Sequence, residues 1–348
     1  MNNSREFARL VTVAAIAAGL GAWMPAQAQA PLSAAAARAE HDALVKTAKA
    51  ETGGITFYLS AGENVGKRSA DAFEAKYGIK AQFIRLSGIG LLQRYAAEID
   101  SGTAAAELFL SGNTSIADDW VKKGWLEPIA SAALPVVRSG EFPAKFNRGS
   151  SALVQVTPWL FFYNTDKVKG ADIPKDWPDL LNPKWKGQFL LGDPRTSDAY
   201  TDLWALLLDK YGESFFTRMR AQNPRVVNGG PALVQALAAG EGAVAIPQVL
   251  PSVLVTKDKG GPLETVTPDY TTGVEIQVMI SARAKSKHFN SARLFANYIM
   301  SPDGNKVLNS DPGGITLYDN SGLPKQYEAP KPGTAARKDH IYKLLGLQ

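Results

Sequence analysis

Apolar and polar positions along the chain switch repeatedly between a period of two and a helical period. Residues 55–60 (ITFYLS) are β-branched and aromatic and predict a strand. Residues 63–77 carry apolar positions at helical spacing, and Gly78 closes them as a C-terminal cap. The same alternation continues through strands at 79–86 and 107–111 and helices at 89–101 and 115–123. An Ala-rich helix at 33–51 precedes the series, stopped by Gly53 and Gly54. Strand–helix alternation predicts a parallel sheet with helices on both faces.

A second series follows. Residues 154–164 (VQVTPWLFFYN) form a long β stretch containing Pro158, and residues 176–187 read as turns and a short helix. A strand at 188–192, helices at 197–211, 212–220 and 231–239, and a buried strand at 242–246 come next. A second long β stretch spans 272–282, then helices at 290–300 and 302–308. The tail after Leu323 is rich in Pro and Lys and is expected to wrap the surface. Two α/β lobes thus flank two long β segments. If both segments cross, the chain is a clamp with a double-stranded hinge, and a lobe interface is a common place for a ligand.

The length of 348 residues fits about two domains. There is no Cys, which removes disulfides, thiolate metal sites, a Cys nucleophile and a lipid-anchored Cys. His41, His288 and His340 are too few for a His-built metal site. Arg5 and Arg9 (with Glu6 between them), an uncharged run at 10–22 and Ala26-Gln27-Ala28 read as a secretory signal cleaved after Ala28. That predicts a freely diffusing periplasmic protein. Net charge is +5 with scattered Lys and Arg, so nucleic-acid binding has little support.

Catalytic signatures are missing: no G-x-S-x-G, no H-E-x-x-H, no phosphate loop and no EF-hand. Gly88-Ile89-Gly90-Leu91-Leu92-Gln93 lacks the third glycine of a dinucleotide fingerprint. The stronger signal is four strand-to-helix turns: Ser87-Gly88, Ser111-Gly112-Asn113-Thr114, Asp193-Pro194-Arg195-Thr196-Ser197 and Asn228-Gly229-Gly230-Pro231. A helix start offers free N–H groups and partial positive charge, and glycine lets a ligand approach the backbone. Any one of these turns is equally an ordinary N-cap; two from each lobe suit a cleft. Arg195 either forks onto a carboxylate or phosphonate or pairs with Asp193 or Asp198. Trp159 either stacks on a ligand or fills the core. Ser60, Asn64 and Gln248 complete the candidates.

Gly54-Ile55-Thr56-Phe57-Tyr58, Ala72-Phe73-Glu74-Ala75-Lys76-Tyr77-Gly78-Ile79, Phe162-Tyr163-Asn164-Thr165, Asn182-Pro183-Lys184-Trp185-Lys186-Gly187, Ser291-Ala292-Arg293-Leu294-Phe295 and Ser301-Pro302-Asp303-Gly304 follow one another in order. Together they resemble the family 1 periplasmic solute-binding proteins of ATP-driven importers, the branch with ferric-ion, polyamine, thiamine and phosphonate binders. The resemblance implies an α/β, two-lobed, type II-like binding protein with a two-stranded hinge and a cleft between lobes. With the signal peptide at 1–28 set aside, the expected lobes are a discontinuous first from 29–155 and 279–348, the placement of its tail left open, and a second from 156–278. The resemblance further implies a non-catalytic monomer without cofactor that hands a small solute to an ABC-transporter permease. Ferric members bind through paired tyrosines just after the strand at 242–246. Here that stretch reads Pro247-Gln248-Val249-Leu250-Pro251, with Tyr270 the nearest tyrosine. The turns and Arg195 favour a small organic anion, a carboxylate or phosphonate. The alternatives are ferric iron with a synergistic anion, using Tyr270, an exported hydrolase using one of the three His, and a ligand sensor that presents its bound state to a membrane receptor.

Overall fold

A computed structural model describes residues 31–112, 116–283, 287–331 and 333–347. The leader at 1–28 and the candidates Asn113 and Thr114 lie outside the described residues.

The strands are β1 (Ile55–Leu59), β2 (Ala81–Arg85), β3 (Leu108–Ser111), β4 (Leu126–Glu127), β5 (Ala152–Asn164), β6 (Phe189–Gly192), β7 (Arg225–Val227), β8 (Val244–Val249), β9 (Leu263–Val266), β10 (Tyr270–Thr271), β11 (Gly273–Ser281) and β12 (Gln326–Tyr327). The helices are α1 (Ala34–Ala50), α2 (Glu63–Tyr77), α3 (Gly88–Ser101), α4 (Ala117–Lys122), α5 (Pro135–Arg138), α6 (Asp198–Ala221), α7 (Gly230–Ala238), α8 (Leu250–Lys257), α9 (Phe289–Met300), α10 (Pro302–Leu308) and α11 (Lys338–Leu345). Predicted helices at 197–211 and 212–220 are one element, α6, broken at Gly212, whose φ of 70° is outside the helical region.

Ten strands form one curled sheet, ordered β2-β1-β3-β11-β5-β8-β6-β7, with β4 on β11 and β9 on β5. The sheet is continuous because β5 is long enough to serve both lobes. Its residues 152–158 pair with β11, and its residues 159–164 pair with β8 and β9. The return segment does the same in reverse, with β9 against the second half of β5 and β11 against the first. The two-stranded crossing expected from the pattern is therefore present.

Each lobe buries both faces of its part of the sheet, as crossover helices require. In the first, Phe57 and Leu59 pack with Phe295 on one face, and Tyr58 packs with Tyr95 and Trp120 on the other. In the second, Phe161 and Tyr163 meet Trp204, while Leu160 and Phe162 meet Leu233 and Val253. Successive side chains on β1 and β5 thus point to opposite cores, which is the period-two rule at work.

The tail departs from expectation. Residues 279–348 do not all belong with the first lobe. After α10, Ile315 bridges to Val156 on the crossing strand, and β12 pairs with β10. Then α11 packs on α6, burying Ile341 fully and Leu345 to 5% exposure in the second core. The chain therefore crosses a third time. The i, i+4 pair Ile341 and Leu345, closed by Gly346, makes α11 amphipathic, and the Pro- and Lys-rich approach masks that signal.

Candidate functional site

The strand directions point to a candidate site. β1, β2 and β3 run parallel, so their carboxyl ends all emerge at Leu59, Arg85 and Ser111. β11 runs antiparallel to β3 with Gln277 opposite Ser111, so these ends abut residues 273–276. In the second lobe β6, β7 and β8 are parallel, and Val249 at the carboxyl end of β8 sits opposite Trp159. Both sets of carboxyl ends therefore face the same crossing strands, where open α/β sheets place ligands.

On the first-lobe side, the Ser60 amide donates to Leu110 O at 2.9 Å and its Oγ accepts from the Gly112 amide at 3.0 Å. Ser60 ties the end of β1 to the end of β3. Ser87 caps α3, its Oγ accepting from the Gly90 amide at 3.1 Å, with Gly88 the first helical residue. Asn64 is held away: its Nδ2 donates to Asp311 at 2.7 Å, beside the two-pronged Arg68–Asp311 ion pair.

On the second-lobe side, Trp159 is 4% exposed and donates from Nε1 to Ala199 O at 3.2 Å. Its ring lies 4.9 Å from that of Tyr200 at 34°. Gln248 is 3% exposed and spends its amide on the backbone, Nε2 to Gly230 O at 3.1 Å and Oε1 from the Val249 amide at 2.9 Å. It fixes the start of α7 beside α8. Asn228 is exposed, and Gly229 precedes α7 with φ 90° and no side-chain cap. Thr196 donates to Asp193 O at 2.7 Å, and Ser197 precedes α6 without capping it.

Arg195 takes the intramolecular option. Its Nε and Nη2 reach the Asp193 carboxylate at 2.9 and 2.7 Å, and its own amide donates there too. The Arg195 hydrogen bond, against an opposing burial effect, holds the Asp193 carboxyl below its usual range. Tyr270 precedes Thr271, whose Oγ1 donates to Trp159 O at 3.0 Å, so its backbone adjoins the crossing. The Tyr270 ring packs on Tyr211 and under Lys210. Burial first, then Glu328 and Asp209, pushes its hydroxyl up to about 12. Among the described residues no group of three or more His, Asp or Glu is placed to hold a metal ion. The three His are also dispersed, His41 against Tyr77, His288 between Glu107 and Thr52, and His340 on Glu213.

Two residues at the crossing were not among the candidates. Tyr200, in the first turn of α6, is 6% exposed and its hydroxyl has no hydrogen-bond partner among the described residues. Gln155 is 8% exposed, faces Ile276 across the ladder, and its amide is likewise unpartnered there. A signal existed for Gln155: it is an amide inside an otherwise apolar stretch of strand. A cavity of about 620 Å³ bordered by Arg38, His41, Tyr77, Val136 and Asn297 lies between α1, α5 and α9, away from these carboxyl ends.

The comparisons fit this geometry. A model of the bacterial extracellular solute-binding proteins matches residues 104–338, more than half of the chain. The chain belongs to that family. Its members and structural relatives are binding proteins rather than enzymes, and solute-binding proteins work with ABC permeases. An Fe(3+)-binding periplasmic protein from Serratia marcescens is 25% identical over 266 residues, covering 74% of this chain and 77% of that one. The periplasmic binding protein AfuA from Actinobacillus pleuropneumoniae, solved with exogenous fructose 6-phosphate, superposes with a TM-score of 0.61 at 22% identity, covering 85% of this chain and 98% of that one. Iron-bound HitA from Pseudomonas aeruginosa gives 0.64 at 18% identity, covering 84% and 98%. The fold is thus that of the two-lobed periplasmic binding proteins, as the residue pattern and the resemblance implied.

Proposed function

We propose that this solute-binding protein captures a small organic anion, a carboxylate or a phosphoryl or phosphonate compound, in the periplasm and delivers it to an ABC-transporter permease. The observation that carries this is the convergence of helix starts on the crossing strands. α3 begins at the end of β2, α6 follows β6 and α7 follows β7, so their positive dipole ends converge on the crossing strands from the two lobes. The Trp159–Tyr200 pair adds an aromatic wall against which an organic body packs. The sugar phosphate in AfuA is a compatible precedent on the same fold.

Ferric iron is the second reading, favoured by the name of the Serratia relative. Against it stands the packing of the Tyr270 ring between Tyr211 and Lys210, with no group of three or more His, Asp or Glu placed to hold a metal among the described residues. Isothermal titration of the purified protein, residues 29–348, with citrate, methylphosphonate and fructose 6-phosphate tests the proposal. One-to-one binding of at least one is expected. Binding of none, with ferric citrate producing a visible phenolate charge-transfer band, contradicts it.

A further inference from the structure

We infer that Tyr200 and the start of α7 form the oxyanion-holding end of this cleft, binding a phosphoryl or carboxylate group through uncharged donors alone. The inference rests on the anion reading above and names the groups that carry it.

α7 is nine residues long and begins without a side-chain cap, since Gly229 has none to offer. Pro231 has no N–H, and the amides of Gly230 and Ala232 have no partner among the described residues. Into this end points Tyr200. Its hydroxyl lies 3.5 Å from where a Cβ on Gly230 would stand, an ordinary contact distance, while Gln248 Nε2 would stand only 2.9 Å from that Cβ. The hydroxyl is unpartnered yet keeps contact with solvent, in a side chain more than nine-tenths buried. A hydroxyl that reaches solvent but bonds no protein group is free to donate to a ligand. The ring cannot swing away, because it rests on Trp159, itself pinned to Ala199. Gln248 holds Gly230 from below. Burial pushes the Tyr200 hydroxyl up to about 12, so at neutral pH it is a proton donor, suited to an oxyanion. Arg195, the nearest cation in the sequence, is already spent on Asp193.

The test titrates wild type, Tyr200→Phe, Gly230→Ala and Arg195→Ala with citrate, methylphosphonate and fructose 6-phosphate, after melting curves show each variant folded. Tyr200→Phe should weaken the bound probe by about tenfold or more, as for a hydrogen bond to a charged group. Gly230→Ala, whose Cβ would stand 2.9 Å from Gln248 Nε2, should weaken it comparably and covers the case of an unfolded Phe variant. Arg195→Ala should stay within about twofold, because its guanidinium is committed to Asp193. Wild-type binding that survives both Tyr200→Phe and Gly230→Ala overturns the subsite alone. A larger loss in Arg195→Ala than in Tyr200→Phe also overturns it. Failure of wild type to bind any probe overturns the anion reading beneath it.

Discussion

Arg195 shows what a residue type can and cannot announce. The sequence singles it out by its place at a helix start, where a cation is disfavoured. The structure resolves that conflict locally, with Asp193 accepting both its guanidinium and its amide. Tyr200 carried no such anomaly, because an aromatic in a first helical turn reads as core; only the packing shows its hydroxyl unpaired. Glu275 is another residue whose environment the sequence hides. Its carboxyl accepts from the Tyr327 hydroxyl at 3.1 Å, and Arg148 stands 3.7 Å away. Burial pushes its pKa up, and Arg148 and Tyr327 only partly offset that. The native state therefore holds this proton more tightly than the unfolded chain does, so its contribution to stability falls as pH rises above the ordinary carboxylate value. Glu275→Gln removes the buried charge and keeps an acceptor for Tyr327. Its melting temperature should exceed wild type at about pH 8, with the gain shrinking toward about pH 4. A gain that is flat or grows on acidification contradicts this.

Elements with a strong period were readable from the sequence. The helices at 63–77 and 290–300 and both long β stretches appear within two residues of their expected ends. Proline punctuation hid the rest. Pro247 and Pro251 suggest a broken stretch, yet α8 starts there because proline is tolerated in a first helical turn. β9, β10 and β12 are too short for a pattern, and long-range pairing defines them. α11 is the costliest omission, since it seals the second core. Ile341→Ala removes a fully buried side chain and should cost about 2–4 kcal/mol in urea unfolding. A loss below about 1 kcal/mol would mean α11 is not part of the folded unit.

At the scale of the whole molecule, three chain segments join the lobes: β5, the β9–β11 return and the span from α10 to β12. Buried Asn305 and Asn309 fasten the third to the first, donating from Nδ2 to Val154 O at 2.8 and 3.0 Å. The clamp architecture was legible from two long β segments between α/β series, whereas the third crossing was not, because it is irregular. For the solute the sequence offers only the proposed charge class, since helix starts favour anions without naming them. Mass spectrometry of the compound released from protein purified without refolding tests the central claim most directly. The account predicts one small carboxylate or phosphorylated compound, near one per chain in wild type and depleted in Tyr200→Phe. Stoichiometric iron, or a neutral or cationic solute, would contradict it.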